Sequence, residues 1–142
     1  MPYLVSIDGT SLYYEDVGSG DAILFIHEFA GNHRTWAKQV SALSGTYRCI
    51  TYAARGYPPS DVPESDQSYG QDIAIVDAMA VLDTLGIDKA HIVGHSMGAY
   101  TALHVGIQNP GRCLSVATLG CGWGSPRAER PVEQTQPSVP HT

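Results

Sequence analysis

One serine in this chain lies in a pattern that could make it a nucleophile. Ser96 is the centre of the pentapeptide Gly94-His95-Ser96-Met97-Gly98, which follows an apolar run at residues 90–93 and precedes a small-residue helical pattern. This context predicts a strand, a sharp turn and a helix, with the flanking glycines allowing the turn and the serine hydroxyl exposed at the helix N-terminus. Ser96 is therefore the candidate nucleophile of an acyl transfer reaction.

A second segment, His27-Glu28-Phe29-Ala30-Gly31, could supply the electrostatic part of that reaction. Acyl transfer builds negative charge on a carbonyl oxygen, and two backbone N–H groups aimed at that oxygen stabilise the transition state by several kcal/mol. In a strand, turn and helix site, one N–H follows the nucleophile and the other lies in the loop after the third strand. Met97 and Phe29 are predicted to supply them, and we interpret His27 as a strand-end histidine that orients the loop.

The elements that must position these residues alternate along the chain. The first two predicted strands form a hairpin at Asp8-Gly9, and the third is apolar on both faces, which is typical of a central strand covered by helices. The pattern therefore predicts an α/β fold with a mostly parallel sheet. Strands are expected over residues 3–7, 12–15, 22–26, 47–52, 90–93 and 114–119, and helices over 35–43, 69–85 and about 97–108. The helix over 69–85 is expected to bury a stripe made of Ile73, Val76 and Ala80, with Met79 and Leu82 beside it.

Composition excludes several classes of function. The chain has 142 residues, 43% of them hydrophobic, and its net charge of −6 is spread without basic clusters, which argues against nucleic-acid binding. No segment reaches the ~18 apolar residues of a membrane span. The cysteines Cys49, Cys113 and Cys121 lack CxxC spacing, which favours reduced thiols and a cytoplasmic protein.

No cofactor is predicted. The chain has neither of the glycine-rich phosphate-binding patterns, so nucleotide binding has no motif. His91 and His95 are four residues apart, but on a strand that spacing is about 13 Å, too far for a shared metal ion. After Gly120 the chain becomes rich in proline and polar residues, so residues 1–124 are expected to form the core domain and residues 125–142 a disordered tail.

Together, three segments resemble the α/β-hydrolase superfamily over about residues 3–123. They are the His27 loop, the segment Arg55-Gly56-Tyr57-Pro58-Pro59-Ser60-Asp61 and the Ser96 pentapeptide, in the family order. Glu28 stands where the family usually has glycine, and Ala53 stands where many members have aspartate. Arg55 is interpreted as a structural residue that holds its loop. The resemblance implies a packing role for His95.

The resemblance also implies a catalytic acid and a histidine after the nucleophile, on loops that follow later strands. Beyond Ser96 the histidines are His104 and His141 and the acids are Glu129 and Glu133. His104 lies about 12 Å along the helix axis from Ser96, which is too far. Glu133 and His141 follow in the right order but without a predicted strand to hold them, so a preorganised base is not expected.

We interpret the chain as the N-terminal part of a serine hydrolase that acts on a small ester or related acyl substrate through an acyl-Ser96 intermediate. The nucleophile disfavours the epoxide-hydrolase and dehalogenase branches, which the resemblance implies use aspartate. Two alternatives stay open: a catalytically silent fragment or binding module, and cofactor-free haloperoxidase-like chemistry in a full-length parent. Phe29, Trp36, Tyr100 and Trp123 could line an acyl pocket, and the last strand could mediate self-association through an open sheet edge.

Overall fold

One mixed β-sheet organises the computed structural model, which describes residues 2–120 of the chain. Its strand order is β1-β2-β4-β3-β5-β6, with β1, β2 and β4 joined in antiparallel pairs and β4, β3, β5 and β6 joined in parallel pairs. This arrangement confirms the predicted α/β fold with an antiparallel N-terminal hairpin. The strands are β1 (Tyr3–Val5), β2 (Ser11–Val17), β3 (Ala22–Ile26), β4 (Arg48–Tyr52), β5 (Ala90–His95) and β6 (Cys113–Leu119).

The helices are α1 (Ala37–Leu43), α2 (Gln71–Thr84) and α3 (Met97–Gln108), accompanied by short 3-10 turns at His33–Trp36, Asp66–Ser68 and Pro110–Arg112. The predicted bounds of α3 agree with the structure. The helix expected over residues 35–43 instead begins as the 3-10 turn at His33–Trp36, because the Asn32 side chain accepts a hydrogen bond from the Arg34 N–H at 2.8 Å and caps that turn. No helix in the described part of the chain is both long and apolar enough to cross a bilayer.

The sheet has an apolar cluster on each face. All five residues of β3 are buried, as expected for a central strand. On one face Leu24 and Ile92 pack beneath α2 and α3, and on the other face Phe25 packs against Trp36 with their ring centroids 5.0 Å apart. Packing against these two layers fixes the positions of the strand ends. The loops that follow the strands therefore meet at those ends.

The buried face of α2 differs from the predicted stripe. Ile75, Ala78, Val81 and Leu82 are buried together with Asp77, whereas Val76 is 36% exposed and Ile73, Met79 and Ala80 are only partly covered. Nine of the ten residues from 73 to 82 are apolar, so periodicity did not define one face. The single charged residue, Asp77, turns inward because Arg55 pairs with it there.

Candidate active site

Ser96 occupies a strained turn between β5 and α3. Its backbone has φ 54° and ψ −114°, a combination that residues with a side chain rarely adopt, and the residue is exposed to solvent. The Ser96 N–H donates to the Leu119 carbonyl of β6 at 2.8 Å, which holds the turn against the neighbouring strand. The sequence placed the turn correctly, but the left-handed residue is the serine itself rather than either flanking glycine.

Gly94 and Gly98 lie where neighbouring backbone comes too close to leave room for a side chain. A Cβ on Gly94 would collide with the Gly98 carbonyl, and a Cβ on Gly98 would collide with the carbonyl oxygens of Ile26 and His27. The first turn of α3 therefore lies directly against the end of β3. This contact brings the loop that follows β3 beside Ser96.

Phe29 and Met97 are the two predicted donors to an oxyanion. Within residues 2–120, neither backbone N–H has an acceptor: Phe29 lies in the loop after β3, and Met97 is the first residue of α3, where helix geometry leaves the N–H unpaired. Both residues line the same cavity. Two unpaired donors beside an exposed serine are the arrangement that could stabilise a negatively charged oxygen.

His27 joins the loop after β3 to the loop after β4. Its Nδ1–H donates to the Glu28 carbonyl at 2.8 Å, and its Nε2 accepts the Ala54 N–H at 2.9 Å, so both bonds require the neutral ring. Burial lowers the pKa of His27 below its ordinary value, which favours the same neutral form. With both ring nitrogens engaged, His27 positions backbone and does not serve as a base.

Glu28 and His95 meet between the two halves of the site. Glu28 Oε2 lies 3.4 Å from His95 Nδ1, and Glu28 Oε1 accepts a hydrogen bond from Thr35 Oγ1 at 2.8 Å. The packing role predicted for His95 is wrong, because its side chain is 47% exposed and faces this carboxylate. Partial burial opposes ionisation of Glu28, but hydrogen bonds from its own backbone N–H, Thr35 and His95 together hold its pKa below the ordinary value.

A cavity of about 510 Å³ opens beside Phe29 and Met97. Its wall is mostly apolar and aromatic, with contributions from Ile26, Tyr52, Tyr57, Val62, Tyr69 and Ala74, and with Gln71 and Thr101 hydrogen-bonded to each other at 3.1 Å. Of the aromatic residues proposed as pocket lining, Phe29 contributes to this wall. Trp36 is wrong as a lining residue because it is buried in the core on the α1 side of the sheet, and Tyr100 is not part of the wall. Trp123 lies outside the described residues.

Within residues 2–120, no base is positioned to activate Ser96. No hydrogen bond joins the Ser96 hydroxyl to a histidine in this part of the chain, and the His104 ring packs on Tyr100 with centroids 4.4 Å apart. Glu129, Glu133, His141 and the predicted tail fall outside the described residues. The described part thus contains a candidate nucleophile and two candidate oxyanion donors without a positioned base.

A charge network borders the cavity through buried Arg55 and Asp77 and extends to exposed Asp8; of these three, Arg55 was recognised in the sequence. Arg55 donates to both Asp77 carboxylate oxygens at 2.7 and 2.8 Å, to both Asp8 oxygens at 2.7 and 3.2 Å, and to the Ser68 carbonyl at 2.9 Å. Ser6 donates to Asp77 as well, at 2.6 Å. The sequence signal for Asp77 is its position as the lone charge in the apolar part of α2. Hydrogen bonds to Asp77 and Asp8 raise the pKa of Arg55, and the hydrogen bonds from Arg55 lower the pKa of Asp8.

Comparison with known proteins finds hydrolases of one fold. The family model described as "alpha/beta hydrolase fold" matches residues 21–136. Epoxide hydrolase 2 of Siraitia grosvenorii is 34% identical over 81% of this chain and 37% of its own length. The 3-oxoadipate enol-lactonase 1 of Acinetobacter baylyi is 41% identical over 67% of this chain and 35% of its own length.

The solved structures give the same result. An epoxide hydrolase of the alpha/beta hydrolases superfamily from hot-environment metagenomes superposes with a TM-score of 0.81 and 31% identity, covering 84% of this chain and 41% of that chain. The present chain therefore spans about two fifths of the length of these proteins.

Proposed function

Because this chain belongs to the alpha/beta hydrolase fold family, we propose that Ser96 is the nucleophile for hydrolysis of an uncharged carboxylic ester or lactone. The observation that carries this proposal is the exposed, strained Ser96 beside the acceptor-free N–H groups of Phe29 and Met97. Backbone strain at an exposed polar residue costs about 1–3 kcal/mol and persists at functional sites. A structural turn would place glycine at this position.

The reaction would proceed in two acyl-transfer steps. The Ser96 oxygen attacks the ester carbonyl while its proton passes to a base, and the carbonyl oxygen becomes an oxyanion that accepts hydrogen bonds from Phe29 and Met97. The tetrahedral species expels the alcohol, which takes up a proton, and leaves an acyl ester on Ser96. Water then adds to that ester, and the carboxylic acid leaves with Ser96 restored.

The chemistry of a serine nucleophile favours esters over the epoxides named for several relatives. Attack of Ser96 on an epoxide would form an ether, and an ether has no carbonyl for water to attack. An acyl-serine has that carbonyl and can be hydrolysed, which makes turnover possible. The enol-lactonase is a relative whose name denotes a cyclic ester, so the proposed substrate class also occurs within the family.

The cavity favours an uncharged acyl group. Its volume of about 510 Å³ is within the usual range for small-ligand sites, and its wall is mainly apolar. Arg55 borders it, but its guanidinium is occupied by Asp77, Asp8 and Ser68. An anionic acyl group would therefore gain no free cation there and would lose its hydration.

Hydrolysis of a short-chain aryl ester tests this proposal. The purified full chain should hydrolyse it feebly, since loss of a triad histidine costs about 10⁶ in kcat while an oxyanion hole and binding retain about 10³ to 10⁴ over water. Added imidazole should raise the rate in a saturable way, because it can enter and act as the base that residues 2–120 do not place.

The variants decide the role of each residue. Ser96→Ala should remove the imidazole-supported rate, and His104→Ala should leave it unchanged because that ring packs on Tyr100. An unchanged rate in Ser96→Ala would overturn the proposal and favour a binding module. A rate near ~10 s⁻¹ without imidazole that His141→Ala abolishes would instead establish a complete triad in this chain.

A further inference from the structure

We infer that Glu28 and His95 are a pair of positioning residues that fix the oxyanion-binding loop, Glu28 to Gly31, against the Ser96 turn. The inference rests on the proposed function and adds to it a specific role for the residue at the usual glycine position. Through this pair, the loop that carries the Phe29 N–H is connected by side chains to the strand end that carries Ser96.

The contacts of Glu28 span three separate segments. The residue follows β3, its Oε2 reaches His95 at the end of β5 at 3.4 Å, and its Oε1 reaches Thr35 in the turn before α1 at 2.8 Å. Ionised carboxylate oxygens only accept hydrogen bonds, so His95 carries its proton on Nδ1 in this contact. A single side chain thus ties the loop to both sides of the site.

The absence of a side chain at Gly31 leaves space for the Glu28 carboxylate. A Cβ on Gly31 would collide with Glu28 Oε1 and lie 2.8 Å from Thr35 Oγ1. Gly31 has no left-handed φ, so its backbone conformation does not require glycine. The space it leaves is occupied by the Glu28 side chain, which makes Gly31 part of the same arrangement.

Apolar packing does not hold this loop. Phe29 is 74% exposed and Ala30 is also exposed, with a left-handed φ of 62°. Three hydrogen bonds hold its backbone: the Gly31 N–H and His27 Nδ1–H donate to the Glu28 carbonyl at 3.1 and 2.8 Å, and the Ala30 N–H donates to Tyr57 Oη at 3.4 Å. None of them reaches the Ser96 turn. The Glu28 side chain therefore supplies the link toward the nucleophile that burial would otherwise provide.

The contact with His95 also fixes the orientation of the negatively charged Glu28 carboxylate. An unpaired carboxylate next to Phe29 would oppose an oxyanion forming at the Phe29 N–H, because like charges repel. The donors from Thr35 and His95 hold the carboxylate in one direction. Removing His95 should therefore destabilise the transition state more than the ground state. Neutralising Glu28 without shortening it should destabilise the transition state less than removing His95 does.

Imidazole-supported ester hydrolysis by the full chain tests the catalytic part. Glu28→Ala, His95→Ala and Gly31→Ala should each lower kcat by about 10- to 100-fold, the cost of a small misplacement, with KM changed less than about twofold. Glu28→Gln keeps an acceptor for His95 and should recover most of the loss. The Glu28→Ala/His95→Ala double variant should be no worse than Glu28→Ala alone, because Glu28→Ala already removes the contact with His95. His91→Ala is the matched control, since that ring lies on β5 but contacts Ser115.

Backbone order gives a readout that does not need activity. The ¹⁵N order parameters of residues 29–31 should fall from about 0.85 to below about 0.6 in Glu28→Ala and His95→Ala, and should stay high in His91→Ala and Ser96→Ala. Unchanged order in the first two variants would overturn the tether, whether or not Ser96 is a nucleophile. Reduced order with an unchanged kcat would overturn the positioning role alone. If Ser96→Ala lost the imidazole-supported activity while Glu28→Ala, His95→Ala and Gly31→Ala kept it, the positioning role would be overturned and the proposed function upheld.

Discussion

Replacing Ser96 with glycine should stabilise the protein while removing the proposed nucleophile. The residue has φ 54° and ψ −114°, which costs a side-chain-bearing residue about 1–3 kcal/mol. Glycine avoids that cost but loses about 0.5–1 kcal/mol through the greater freedom of its unfolded chain. The free energy of unfolding of Ser96→Gly should therefore exceed that of Ser96→Ala by about 0.5–2 kcal/mol.

Alanine is the proper reference because it keeps the Cβ. The Ser96 hydroxyl has no hydrogen bond within residues 2–120, so its deletion in Ser96→Ala should change stability little. Ala37→Gly is the matched control, since Ala37 is exposed and has the ordinary helical angles φ −54° and ψ −40°. That change should destabilise by about 0.5–1 kcal/mol, the opposite sign from position 96.

Urea denaturation followed by far-ultraviolet circular dichroism provides the measurement. With a slope of about 1–3 kcal/mol per molar urea, the predicted difference corresponds to a midpoint shift of about 0.2–2 M. The slopes of the variants should agree, so that the shift reports stability alone. If Ser96→Gly were less stable than Ser96→Ala, the turn would be unstrained and the principal support for a nucleophile at this position would be lost.

Three further outcomes are expected. Between pH 7 and pH 5 the free energy of unfolding should fall, because burial lowers the folded-state pKa of His27 and His33 below about 6.5 and the unfolded chain then binds more protons; urea midpoints that stay constant across this window would contradict it. Arg55→Met should cost about 3–5 kcal/mol by leaving Asp77 buried without its cation, and Asp77→Leu in the same chain should recover most of that loss in urea titrations; a double variant as unstable as the single one would exclude this explanation. Self-association through β6 (Cys113–Leu119), six of whose seven residues are exposed, should appear in sedimentation velocity as concentration rises, and a monomer at all concentrations would rule it out.

Local patterns in the sequence were sufficient to predict the elements that carry the candidate site. The apolar run of β3 predicted a fully buried strand, and the spacing of Gly94, Ser96 and Gly98 predicted the turn that precedes α3. These features depend on neighbours within a few residues, through side-chain periodicity and the backbone geometry of the turn. For that reason they could be recognised without knowing which strands are adjacent.

Tertiary structure decided which side chains meet. The strand order brings the ends of β4, β3 and β5 together, and this places Glu28 against His95, which is 67 residues away in the chain. The same packing turns Asp77 inward to Arg55 and selects a buried face that α2, apolar on nearly every side, does not specify by itself. Contacts of this kind arise from burial and charge pairing between distant segments, and no local periodicity encodes them.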